Sequence, residues 1–499
     1  MAHSDSEERS HSHVVPEDGQ RGEAAAVTSM TVTTAEPTTP GMSLQYLRGR
    51  PWRTYALLYA LALAALSAVW SGVSGIVLPN HIQDLAFHAW FTGGDAHVDL
   101  QQLNDLKTAI EKGSVSATPE QTRLLRLLSQ FDATRTTAAG VINAVAVIFV
   151  AFAQPIAGVL SDRTRSRFGR RAPWIFFGAV TGAVTMALVP LAPNLAVLGL
   201  LWVAVSVFFN VAQAPLNTTV ADRIPEELRG RASSAGGMGN FLGGLAGAVG
   251  AAALYSTLGF AVYPVFAAVT VAFLVMFVMI LRDRSSLDLS VPRRDARKTV
   301  AGFLVPLRNR DFRWVWTARV LLMFGYTVSS ALNFFMLQSY VQPALSQSQA
   351  TTLTPMLAMA GLPGTLVAIA LAGRLSDRIG RRKPFVVVAS VLMAASMLAP
   401  LVSPTLPALF VQTILTGFAF GIYLPVDQAL FVEVLPDPEN AAGRDLGVAA
   451  LATNVGQALG PVLAGQVVAL SGSYRLVWPV ACALVGIAAL AILPVKGAR

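Results

Sequence analysis

Apolar runs of about twenty residues, each bounded by charged residues or by Pro, Gly and Asn, recur from residue 54 to residue 494. At about 1.5 Å per helical residue, such a run crosses the roughly 30 Å hydrocarbon layer of a bilayer. The pattern predicts twelve spans, at about 54–79, 137–160, 173–192, 195–219, 232–255, 261–281, 314–340, 353–373, 384–402, 405–431, 446–470 and 476–494. An all-α integral membrane protein follows, because a helix satisfies its own backbone hydrogen bonds inside lipid.

Composition points the same way. Of 499 residues 54% are hydrophobic and 13% charged, against roughly 25% charged in a soluble domain. A soluble enzyme is excluded, and no nucleophile, metal or cofactor motif argues for a membrane enzyme. The lone cysteine, Cys482, rules out an intrachain disulfide and any cysteine-based metal or redox motif.

The net charge of +9 matters less than where the positive residues fall. Loops after spans 2, 4, 6 and 8 hold 22 Lys and Arg residues, and loops after spans 3, 5, 7 and 9 hold none. That asymmetry predicts a multi-pass protein of the cell membrane with the basic loops and both termini in the cytoplasm. It also accounts for the positive charge without nucleic acid. Residues 1–44 are polar with no apolar period, so they read as a disordered cytoplasmic tail rather than a signal peptide, with Met42 an alternative start. His11 and His13 in this tail read as solvated, not as metal ligands.

The chain repeats itself. Gly158, Ser161 and Asp162 recur as Gly373, Ser376 and Asp377, an offset of 215. Gly169, Arg170, Arg171 and Pro173 recur as Gly380, Arg381, Arg382 and Pro384, an offset of 211, because the first copy holds four extra residues. Asp222 and Glu433 keep the 211 offset. Arg53 before span 1 aligns with Arg313 before span 7 at an offset of 260, so the first half carries 45 extra residues between spans 1 and 2. They read as two short amphipathic helices, the second with a Thr118 cap and a Pro119 start, in a loop ornament rather than a substrate-capturing cap. The predicted organisation is a tail at 1–44, a six-helix bundle at 45–281 with an external insertion at about 85–133, a cytoplasmic linker at 282–313 and a second six-helix bundle at 314–499.

Two six-helix halves, each with G-x-x-S-D-R…G-R-R-x-P between its second and third spans, resemble the major facilitator superfamily of secondary transporters over about residues 45–495. The first copy, GVLSDRTRSRFGRRAPWI, is most similar to the glycoside-pentoside-hexuronide and sucrose symporter branch, and VDQALFVEVLP at 426–436 fits the same group. The resemblance implies the major facilitator fold and a cytoplasmic gate. Asp162 would face the start of span 11 and Asp377 the start of span 5, where a carboxylate accepts from unpaired amides and favours the positive end of the helix dipole. Arg170, Arg171, Arg381 and Arg382 would pair with Asp222 and Glu433 at the ends of spans 4 and 10. Gly158, Arg163, Gly169, Gly373, Arg378 and Gly380 complete the expected gating motif. Small-residue stripes, Gly239, Gly243 and Gly247 in span 5 and Gly456, Gly460 and Ala464 in span 11, let backbones approach closely. In the family these spans cross spans 8 and 2 of the other half.

Ionisable groups inside a membrane default to function. Arg319 lies six residues after Arg313 and Asp427 six before Glu433, which sets both about 9 Å inside the basic surface. An Arg319–Asp427 pair across spans 7 and 10 is expected, either structural or as the site of coupling. Candidates for touching a polar solute are Trp70, Asn210, Gln213, Tyr326, Asn333, Gln412, Tyr423, Asn454 and Gln457, with Ser71, Asn217 and Asn240 beside them. Amides and aromatics suit sugar hydroxyls and ring faces, and equally suit interhelical hydrogen bonds. Sodium-coupled members of the branch use acids in spans 2 and 4, whereas span 2 here offers Asn143 and Gln154. The reading is therefore a monomeric secondary transporter of a small polar solute such as a sugar or glycoside, driven by a proton gradient and needing no cofactor or metal. The alternatives are an exporter of drugs or amphipathic metabolites and, in another class, a transporter-like sensor.

Overall fold

Backbone groups that enter lipid must pair within their own segment, and the apolar runs do so as helices. The computed structural model describes residues 50–283, 285–287, 305–436 and 442–495. The expected tail at 1–44 and residues 288–304 of the expected linker lie outside the described residues. Among the described residues, eleven helical stretches are long and apolar enough to cross a membrane, and one, Glu226–Ile280, is two spans that turn at Gly259. Spans 1 to 6 are Pro51–Trp90, Pro119–Arg163, Ala172–Leu191, Leu195–Arg223, Glu226–Leu258 and Val262–Ile280. Spans 7 to 12 are Arg310–Ser339, Gln347–Ser376, Lys383–Val402, Leu406–Glu433, Gly447–Ser471 and Tyr474–Ala491.

Packing repeats the duplication seen in the sequence. In the first half, span 4 packs against spans 2 and 3, span 6 against spans 1 and 3, and span 5 against span 1. In the second half, span 10 packs against spans 8 and 9, span 12 against spans 7 and 9, and span 11 against span 7. The halves meet where span 2 lies along span 11 and where the first part of span 8, Gln347–Ala360, touches span 5.

Two expectations need correction. The glycine stripes do not form the sliding surface between halves. Gly239, Gly243 and Gly247 press on the backbone of Ala60, Ala64 and Ala68 in span 1, while Gly456 and Gly460 press on Met323, Phe324 and Thr327 in span 7. Both contacts lie within one half. The close approach between halves is instead Gly140 against Pro461 and Gly465 against Thr136.

The insertion also differs from its expected form. A helix at Leu100–Glu111 forms, but the segment from Pro119 is no separate helix; it runs unbroken into span 2 as one 45-residue helix, opened by a Thr118–Gln121 capping box. Ala86, Phe91, Leu103, Leu128 and Phe131 give the insertion a small core of its own. Arg123 holds Asp95 through two hydrogen bonds of 2.8 and 2.7 Å, which keeps the Asp95 carboxyl below its ordinary range.

Candidate functional site

At the basic end, the loop between spans 2 and 3 turns on Gly169 at φ +85° and its counterpart on Gly380 at φ +65°, backbone conformations that a Cβ disfavours. The turn returns Arg170 and Arg171 to span 4. Arg170 meets Asp222 at 2.6 Å, and Arg171 reaches Asp222 at 2.9 Å, Asp162 at 2.5 Å and the Ser161 hydroxyl at 2.5 Å. In the second half Arg382 meets Glu433 at 3.1 Å, while Arg378 and Arg381 are exposed. Arg163 is exposed as well, and the Asp377 side chain lies outside the described residues. Asp162, expected against the start of span 11, here binds Arg171 of its own half and keeps 55% of its side chain exposed.

Deeper in the second half, Arg319 Nε donates to Asp427 Oδ2 at 2.7 Å, and both residues are buried. Arg319 Nη1 also donates to the Ala449 carbonyl of span 11 at 3.3 Å, and its guanidinium lies 3.9 Å over the Phe431 ring. The pair thus ties spans 7, 10 and 11 together. Tyr423 is buried one turn from Asp427, and Phe420 connects it to Tyr326, stacked at 5.2 Å. Burial without partners is costly for ions, so the aromatic face and the second acceptor offset part of the desolvation.

In the first half, span 1 adopts nine residues of π-helix at Val69–Val77, a geometry frequent at functional sites. Trp70 within it meets Trp202 of span 4 edge to face at 6.4 Å. Gln154 donates to Asn210 at 3.0 Å, joining spans 2 and 4 through amides. Gln412 is buried and donates to Thr416 in its own span. Gln213 and Asn454 are half-buried, Asn217 and Asn240 are exposed, and Asn333 follows a break in span 7 after Ser330. The Gln457 side chain is exposed, and its carbonyl accepts from Asn143.

The sequence reading missed a second buried ion pair. Asp132 meets Arg135 at 2.7 Å in the outer turns of the span 2 helix, and Arg135 is 1% exposed. Arg135 lies between the Phe131 and Phe335 rings at 4.6 and 4.8 Å. It donates to Gln83 of span 1 at 2.7 Å, to Ser339 of span 7 at 2.6 Å and to Tyr474 at the start of span 12 at 3.3 Å. Gln83 in turn donates to Gln338 at 2.9 Å, and Asn80 bonds Thr351 and Gln347 of span 8. The cluster therefore sews the two halves together at the end opposite the basic loops.

Span 2 shows what happens at the other end. Gly140 and Gly158 are 18 residues apart, five turns at about 3.6 residues each, so they share one helix face. A methyl group at Gly140 would strike the Pro461 backbone of span 11, whereas one at Gly158 would meet open space, as would one at Gly373. Span 2 is thus pressed on span 11 at Gly140 and unpacked at Gly158 near the basic end.

Residues 129–492 match the profile of MFS/sugar transport proteins. The chain belongs to that family. Members of that family are transporters, and the apolar helical stretches fit a multi-pass membrane protein. Among curated relatives, a Synechocystis protein described as an uncharacterised symporter is 34% identical over 96 residues, 18% of either chain. The general alpha-glucoside permease of Schizosaccharomyces pombe is 30% identical over 169 residues, 30% of either chain. The chain thus matches less than a third of the length of each. Among solved structures, a bacterial homologue of the human lysosomal transporter Spinster, inward-facing and unoccupied, superposes with TM-score 0.61 at 15% identity, covering 90% of this chain and 99% of that one. A variant of the nucleoside transporter NupG gives 0.58 at 13%, covering 88% and 99%. At such identity these likenesses show the major facilitator fold alone.

Proposed function

We propose that this member of the sugar transport family is a monomeric secondary transporter that moves a small polar solute of the sugar or glycoside class across the cell membrane by alternating access. The basic loops and both termini face the cytoplasm, and the structure is then the inward-facing state. The observation that carries this reading is the contrast along span 2, pressed on span 11 at Gly140 and open at Gly158. An interface closed at one end and open at the other is what a carrier needs, and the charges of the basic motif are meanwhile held within each half. In the outward-facing state those motifs would meet across the halves and latch the cytoplasmic side.

The coupling ion is a proton, carried by Asp427. The Gln154–Asn210 contact between spans 2 and 4 is neutral, which argues against sodium there. Asp427 has a fixed cation, Arg319, as its partner, and movement of span 7 against span 10 exchanges that partner for a proton. In proteoliposomes, Asp427→Asn should abolish accumulation driven by an imposed pH gradient yet retain exchange of labelled methyl α-glucoside, since exchange needs no net proton movement. Accumulation by Asp427→Asn would show that coupling lies elsewhere. A second reading, export of an amphipathic compound, draws on an apolar groove of about 1020 Å³ between spans 2 and 4, lined by Val141, Phe149, Leu200 and Phe208 among others. Thermal stabilisation by hydrophobic cations and not by sugars would favour it.

A further inference from the structure

A second pocket, of about 380 Å³, lies at the closed end between the two halves, within the range of roughly 300–1,000 Å³ usual for small-molecule sites. Its walls are the end of span 1 (Gln83, Asp84, Phe87), the insertion (Asp99, Asn104) and the start of span 8 with the loop before it (Gln347). The insertion does not merely drape over it. Asp105 accepts from the Ala344 amide at 2.9 Å, Gln101 donates to the Ala344 carbonyl at 2.9 Å and Lys107 donates to the Gly472 carbonyl at 3.2 Å. All three bonds cross from the first half to the second.

One lining group is left unmet. Asn104 is 5% exposed; its amide nitrogen donates to Leu100 of its own helix, and its Oδ1 has no partner. A buried amide oxygen without a donor is rare in native structures, and an ordered water or a solute entering the pocket would supply one. Around it the pocket offers two carboxylates, several amides and the Phe87 ring, with no Lys or Arg among its lining residues. That set donates and accepts toward hydroxyls and presents a ring face to their carbon side.

From this we infer that the pocket is an external, state-selective binding site for a small neutral polyhydroxylated solute, distinct from any central transport site. The assignment of ligand class rests on the sugar reading above. Because the two halves supply opposite walls, the site exists only while the outer side is closed, and its occupant touches Gln83 and Gln338, which support Arg135. A ligand that binds one state alone shifts the balance toward it. High external solute therefore holds the carrier inward-facing and slows turnover.

The test uses the full chain with His88→Cys in a Cys482→Ala background, since His88 lines the pocket and is exposed. In nanodiscs, methyl α-glucoside at about ten times its Kd should slow maleimide labelling of the new thiol about tenfold. Asn104→Leu should remove that protection, leave uptake at low solute unchanged and abolish the fall in uptake at high external solute. Gln101→Ala takes its place should the leucine variant fail to fold. Intact uptake with no protection, or protection that survives Asn104→Leu, overturns the site while sparing the transport reading. Protection by ethanolamine and not by the glucoside overturns the ligand class. Loss of both uptake and protection in the parent protein overturns the sugar reading together with the site.

Discussion

Arg135 concentrates the energetics of the closed end in one side chain. Removing one member of a buried ion pair costs about 3–5 kcal/mol, because the other is left charged and desolvated. Three partners, Ser339, Tyr474 and Phe335, belong to the opposite half, and the share of the loss in Arg135→Ala that they carry exists only while the halves are together there. The variant should move the two-state balance toward the other-facing form by on the order of a hundredfold. A thiol at the exposed Ser234 near the basic end then reacts more slowly than in the parent; unchanged reactivity would show that Arg135 is not a gate residue. The contrast with Arg319 explains what was legible. Arg319 and Asp427 interrupt clear apolar runs at matching depth, so counting residues located them. Asp132 and Arg135 sit where polar residues crowd the sequence, and their burial comes from groups more than 200 positions away, which no local window contains.

Among elements, the small-residue stripes were legible as periodicity and misread as to partner. The complementary stripe Ala60, Ala64 and Ala68 stands in span 1 at the same spacing of four, and it is this that span 5 meets. With no hydrophobic drive between helices in lipid, close backbone approach is what holds such a pair. Gly243→Val should therefore damage the first half as a folding unit, since the new carbons strike the Ala64 backbone and not a side chain that can move. The loss is about 1–3 kcal/mol at least. Gly237→Ala, with open space at its Cβ, should leave the melting temperature unchanged or slightly raised. Equal melting temperatures for the two variants would mean that the span 1–span 5 contact is not a stabilising one. The continuous helix of span 2 was hidden for a related reason: Asp, Arg and Gln residues of its outer turns mimic a loop, though Thr118 and Pro119 mark its start correctly.

For the whole molecule, close backbone contacts tie span 1 to span 5 and span 7 to span 11 within each half, while the halves meet through the span 2–span 11 contact and the polar cluster around Arg135. The twelve spans and their duplication were legible because bilayer thickness and charge asymmetry act on every segment alike. The direction in which the proposed carrier stands open was not, since both states of such a cycle share one sequence. The proposed orientation predicts that, in intact cells with Cys482→Ala, an impermeant maleimide labels Ser116→Cys of the insertion and leaves Ser234→Cys unlabelled until the cells are permeabilised. The reverse pattern would invert the topology.

The 45-residue helix that carries span 2 has a mechanical consequence. At about 1.5 Å per residue it is a rod of nearly 70 Å, more than twice the hydrocarbon thickness. Bolted to the insertion core through Phe131 and Leu128, its free tip rides rigidly on the first half. When the halves rock by on the order of 15°, a tip some 30 Å from the pivot sweeps several ångströms, so a modest rotation within the membrane becomes a large stroke outside it. On the proposed transport cycle the insertion would therefore serve as a lever arm, turning a rotation of the halves into a displacement on the side opposite the basic loops.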